Sequence, residues 1–85
     1  MLFEPTRLKC INKGKLLAFV DLKVSGVITI KGFKIFDGSK GRFVGFPDQK
    51  QGDKYFPTVV VDDKEVREML SDSILSYYRE QKGEV

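Results

Sequence analysis

The stretch Ile35-Phe36-Asp37-Gly38-Ser39-Lys40-Gly41-Arg42-Phe43-Val44-Gly45-Phe46-Pro47 decides how this chain is read. Two apolar runs flank an Asp-Gly pair, the pattern of a β-hairpin, because glycine takes the positive φ that a tight hairpin turn demands. Gly41 gives the backbone a second permissive point. Pro47 lacks an N–H and therefore ends the second strand or marks a sheet edge. Lys40 and Arg42 flank the turn, so the hairpin also displays positive charge.

Toward the N-terminus, residues 27–36 read as a strand whose parity slips. Ile28 and Ile30 are apolar at even positions, Phe33 and Ile35 at odd ones. A slip of one residue sends every later side chain to the wrong face unless the strand bulges. Gly32 sits at the change, so a bulge is predicted near Lys31-Gly32. Residues 15–24 carry Leu16, Ala18, Val20, Leu22 and Val24 as a period-two apolar face, with Lys15, Leu17, Phe19, Asp21 and Lys23 opposite. Residues 6–12 form a first strand with Leu8 and Cys10 inward and Arg7 and Lys9 outward. Asn12-Lys13-Gly14 and Ser25-Gly26 supply turns.

Toward the C-terminus, residues 42–46 make a short strand and residues 48–54 read as a polar loop. Residues 55–61 have strand composition, and Pro57 places that strand at an edge. A helix begins near Asp62 or Asp63; Asp62 with Glu65 fits an Asp-x-x-Glu variant of the capping box. Val66, Met69, Leu70, Ile74 and Tyr77 recur at helical spacing, and Leu75 and Tyr78 widen the stripe into a candidate dimer interface. Gly83 is a natural stop. The expected fold is α+β: an antiparallel sheet of about five short strands with one C-terminal helix packed on it.

The 85 residues are expected to form one domain over 1–85. A chain this short buries only about 60–65% of its unfolded surface, which favours oligomerisation. Its single cysteine, Cys10, excludes an internal disulfide, and a cytoplasmic setting is expected. No apolar run approaches membrane-spanning length, and the N-terminal residues lack a secretory signal pattern. Net charge is +3, unevenly divided: residues 1–50 hold ten Lys/Arg and four Asp/Glu, residues 51–85 five and eight. The N-terminal part thus suits an acidic ligand.

An enzyme is not expected. The chain has no histidine, the side chain best matched to proton transfer at neutral pH, and Cys10 reads as an inward core thiol. Asp62, Asp63 and Glu65 read as helix-start residues, not as a metal site. Gly38 and Gly41 match no phosphate-binding loop. No cofactor, metal or small-molecule substrate is implied. Lys34, Lys40, Arg42, Lys50 and Lys54 gather around the hairpin and the following loop, interleaved with Phe33, Phe36, Phe43, Phe46, Tyr55 and Phe56. Cations contact phosphates and exposed rings stack on bases, although most of these phenylalanines fall at core positions. Glu65, Glu68 and Asp72 on the helix repel phosphate, leaving Arg67, Arg79 and Lys82 as its possible contributors.

With its Phe-Lys-Ile-Phe-Asp-Gly-Ser-Lys-Gly-Arg-Phe-Val-Gly-Phe-Pro heart, the run over residues 27–47 resembles the stage V sporulation protein G (SpoVG) family of bacteria. Asp53-Lys54-Tyr55-Phe56 is similar to its aromatic segment, and Arg67 and Ile74-Leu75-Ser76-Tyr77-Tyr78 to its closing helix. The likeness spans roughly residues 6–80. Asp48 and Gln49 depart from the family's serine and lysine, whereas Lys50 matches a basic position. The resemblance implies a small cytoplasmic homodimeric regulator tied to septation, sporulation or virulence control, with DNA or RNA as partner. The candidate contacts are Lys40, Arg42, Lys50, Lys54 and Arg67. The alternative is a protein-interaction module of the division or regulatory machinery without direct nucleic-acid binding.

Overall fold

The period-two run around Val20 becomes one of the two inner strands of the sheet. The computed structural model describes residues 2–83; Met1, Glu84 and Val85, the ends of the expected 1–85 domain, lie outside them. Strands β1 (Phe3–Lys13), β2 (Leu16–Val24), β3 (Ile28–Gly38) and β4 (Gly41–Gly45) form an antiparallel meander in the order β1-β2-β3-β4. A two-stranded sheet follows, β5 (Asp48–Gln51) against β6 (Lys54–Pro57), and then helix α1 (Lys64–Gln81). This is the α+β architecture expected, with six strands among the described residues in place of five.

The core is built from β2, β3 and α1. Ala18, Val20, Leu22, Phe33, Ile35, Leu70, Ile74 and Tyr78 are each at most 3% exposed. Burial of a large apolar side chain contributes about 1.5–3 kcal/mol, so these few contacts dominate the stability of so small a chain. On α1 the buried row is Leu70, Ile74 and Tyr78, spaced i, i+4, i+8. Met69, expected in the stripe, is 56% exposed. Tyr78, expected at a dimer interface, is buried in the chain's own core, and Leu75 is half-buried against the same core.

The parity slip in β3 is resolved by the predicted bulge. Ile30 pairs with Leu22 and Phe33 with Val20, so Lys31 and Gly32 together oppose the single residue Asp21. Gly32 has φ +101°, a conformation that strains any side chain with a Cβ. A second irregularity in β2 sets Leu16 opposite Phe36 and lets Leu17, not Leu16, pack on the core. The expected apolar face of β2 therefore begins at Ala18.

Three further expectations are corrected. The stretch read as a polar loop, residues 48–54, is most of a hairpin: β5 and β6 pair across the turn Gly52-Asp53, where Gly52 has φ +63°. The strand expected over residues 55–61 stops at Pro57. Cys10 is exposed. It pairs with Ala18 on the helix-facing side, but β1 is the sheet edge, and the residues it packs against the core are Phe3 and Leu8, with Cys10 beyond them.

The helix cap is Asp63, not Asp62. Its carboxylate accepts the Val66 N–H at 3.1 Å, one of the amides that the first helical turn leaves unpaired. Asp63→Ala is therefore expected to cost about 0.5–2 kcal/mol, whereas Asp62→Ala stays within about 0.5 kcal/mol. Urea unfolding of the two variants checks the assignment.

Candidate nucleic-acid interface

The meander has two faces of opposite character. One lies under α1. On the other, strand pairing lines up residues that are far apart in sequence. Lys9 pairs with Phe19, Phe19 with Lys34, and Lys34 with Gly45, giving a row with one residue from each strand. Neighbouring strands are about 4.8 Å apart, so Lys9 and Lys34 stand about 10 Å apart across the Phe19 ring. In the adjoining row Arg7 pairs with Asp21. The bulge brings Lys31 to the same place, and Arg7, Lys9, Phe19, Asp21 and Lys31 line a depression of about 240 Å³. Three cations thus stand around Asp21, and the fourth on these rows, Lys34, has a carboxylate of its own in Asp48.

On the far side of the first row, Phe36 and Phe43 stack with centroids 5.3 Å apart and planes 24° from parallel. Gly45 makes this possible: a Cβ there would lie 2.6 Å from the Phe36 ring. Phe43 is 52% exposed. The β5–β6 hairpin borders the same face. The Lys34 ammonium donates to Asp48 at 2.9 Å, and it lies 6.0 Å from the centroid of the Tyr55 ring. The Lys50 ammonium lies 5.9 Å from that centroid. A surface pair such as Lys34–Asp48 contributes no more than about 1 kcal/mol. Its effect is positional, holding the hairpin beside β3, while the Pro47 carbonyl accepts the Thr58 N–H at 3.0 Å and closes the hairpin's base.

The cations expected to act together are not gathered in one place. Arg42 pairs with Asp37 on the helix-facing side, and its guanidinium lies 4.9 Å from the centroid of the Tyr78 ring. Arg67 donates to the Val61 carbonyl at 2.9 Å and lines a groove shared with Glu68 and Asp72. Lys40 occupies the β3–β4 turn. Lys50 and Lys54 sit in adjacent pairs of the β5–β6 ladder, Lys50 with Tyr55 and Lys54 with Gln51, and so point to opposite faces of it. Of the five, Lys50 joins the open face through Tyr55. Arg7, Lys9, Phe19 and Lys31 complete that face. The signal for them was the alternation within each strand, read across strands instead of along the chain.

The aromatic residues divide the same way. Phe33 is buried, with Phe46 edge-on at 5.4 Å. Phe36, Phe43 and Tyr55 serve the open side. On the helix, Glu65, Glu68 and Asp72 are exposed. No helix among the described residues is long and apolar enough to cross a membrane.

The fold and this face define a class: a small α+β domain whose sheet is covered by a helix on one side and is open, cationic and aromatic on the other. The chain belongs to the SpoVG family, whose model matches residues 1–80. Two relatives bear the name "Putative septation protein SpoVG". The one from Symbiobacterium thermophilum is 35% identical over 69 residues, covering 80% of this chain and 49% of the relative. The one from Archaeoglobus fulgidus is 28% identical over 75 residues, covering 87% and 88%. The chain therefore spans about half the length of the first and most of the second.

Proposed function

We propose that this protein is a non-enzymatic regulator that binds DNA or RNA through the open face of its sheet, in a process connected with septation or sporulation. The placement of Arg7, Lys9, Lys31 and Lys34 around Phe19 carries this reading. These four cations outnumber the two carboxylates beside them, Asp21 and the Lys34-paired Asp48, so the face attracts a polyanion, and Glu65, Glu68 and Asp72 on the helix behind it orient the encounter. Family membership and the names of the relatives support the link to septation. The missing histidine supports a binding role over catalysis.

A homodimer belongs to the same reading. An apolar groove of about 420 Å³ opens between the end of the sheet and the start of α1, lined by residues that include Phe3, Val24, Ile30, Val61, Val66 and Leu70. Val60 at its rim is 67% exposed. We assign this groove, in place of Tyr78, to a second copy of the chain, an arrangement that leaves the cationic face free. The apolar groove is also what favours the alternative, a protein-interaction module of the division machinery. Sedimentation at micromolar concentration separates them. Twice the 9.7 kDa chain mass is expected for the wild type and single mass for Val60→Glu. A monomeric wild type that retains another protein after nuclease treatment favours the alternative.

Nucleic-acid affinity is expected to fall steeply with salt, with a log–log slope of about −0.9 per phosphate neutralised on duplex or about −0.7 on single strands. Lys9→Gln and Lys31→Gln should each reduce that slope by about 1 and weaken binding across sequences. Arg67→Gln should change affinity by no more than about twofold, since its guanidinium serves the Val61 carbonyl. Titrations by fluorescence anisotropy over a salt series check this. Salt-independent binding, or none at low salt, contradicts the reading.

A further inference from the structure

We infer that the open face takes single-stranded nucleic acid, with bases stacked on its rings, in preference to duplex. This inference rests on the proposal above and adds to it the state of the ligand. The cations alone suit any polyanion. The rings do not. A duplex keeps its bases stacked on one another and offers a nearly flat sheet only its phosphates. An unpaired strand offers base faces as well, and stacking on an aromatic side chain is sequence-tolerant because every base has a π-face.

The face is arranged for the second kind of ligand. Phe19 stands in the row between Lys9 and Lys34. The stacked pair Phe36 and Phe43 lies beside that row, with Phe43 52% exposed. Tyr55, 61% exposed, stands at the other edge of Lys34, with Lys50 also at its ring. Rings and ammonium groups therefore alternate across the sheet and onto the β5–β6 hairpin, the interleaving that lets one strand place phosphates on cations and bases on rings. The glycines agree with this use. Gly45 and Gly38 admit the Phe36 and Phe43 rings where any Cβ would press to within 2.6 and 2.9 Å of them. On the helix, Glu65, Glu68 and Asp72 would face the phosphates of any groove it entered, and Arg67 already donates to the Val61 carbonyl.

The test uses the full chain with oligo-dT, oligo-rU and a mixed-sequence duplex, each about twelve nucleotides long, a length within the range of single-strand sites on sheets. Affinities are read by anisotropy at one salt concentration. The single strands should bind at least about tenfold more tightly than the duplex. Tyr55→Leu and Phe43→Leu, which keep apolar bulk and remove the ring, should each weaken single-strand binding about tenfold and leave duplex binding unchanged. The chain has no tryptophan, so tyrosine emission can be followed directly; it should be quenched by oligo-dT in the wild type and much less in Tyr55→Leu. Tyr55 lies on the exposed hairpin, so this variant keeps the test valid even if Phe43→Leu fails to fold. Equal or tighter duplex binding, with ring variants unaffected, overturns the inference while leaving the cationic interface intact. No binding to any probe at low salt overturns both.

Discussion

The fold depends on one extra residue in β3. Between Ile30 and Phe33 the strand carries Lys31 and Gly32 where β2 carries only Asp21. Without that bulge the apolar set Ile28–Ile30 and the set Phe33–Ile35 would face opposite sides, and one of them would lose its cover. With it, Ile30, Phe33 and Ile35 all turn toward α1, and Lys31 and Lys34 turn away. Gly32 is the residue that can hold the φ of +101° this requires. Pro47, buried, lies beside it at a distance that a Cβ on Gly32 would just touch.

The same constraint separates the chemistry of the two faces. Toward the helix the sheet is closed by Leu70, Ile74 and Tyr78. Away from it the cross-strand rows combine lysines and arginine with half-buried rings, a surface that is too apolar for plain solvation and too charged for a core. Charge asymmetry along the chain thereby becomes asymmetry in space. The basic N-terminal part supplies most of the open face, and Glu65, Glu68 and Asp72 lie exposed on the helix behind it. The β5–β6 hairpin extends the open side through Lys34, Asp48, Tyr55 and Lys50.

Much of this was legible in the sequence because it rests on local rules. The β3–β4 hairpin, the bulge at Lys31-Gly32, the β2 alternation and the terminal helix each follow from glycine placement and apolar period. What was not legible depends on contacts between distant residues. The β5–β6 hairpin has no apolar alternation, and its Gly52-Asp53 turn is hidden in a polar run. Asp62 and Asp63 satisfy the same capping pattern, and only the geometry at Val66 chooses between them. Cys10 follows the inward parity and is still exposed, because parity says which face a residue takes and nothing about whether that face is covered there. Proximity along the chain groups Arg42 and Arg67 with the other cations, yet they serve Tyr78 and Val61, whereas Lys9 and Lys34, 25 positions apart in number, flank Phe19.

The central claim is that the open sheet face, and not the helix, meets the polyanion. Lysine acetylation footprinting with and without a saturating single-stranded oligonucleotide, read by mass spectrometry, tests it most directly. Lys9 and Lys31 should be protected together while Lys64 and Lys82 react as in the free protein. Protection of Lys64 and Lys82, with Lys9 and Lys31 unchanged, would contradict the account.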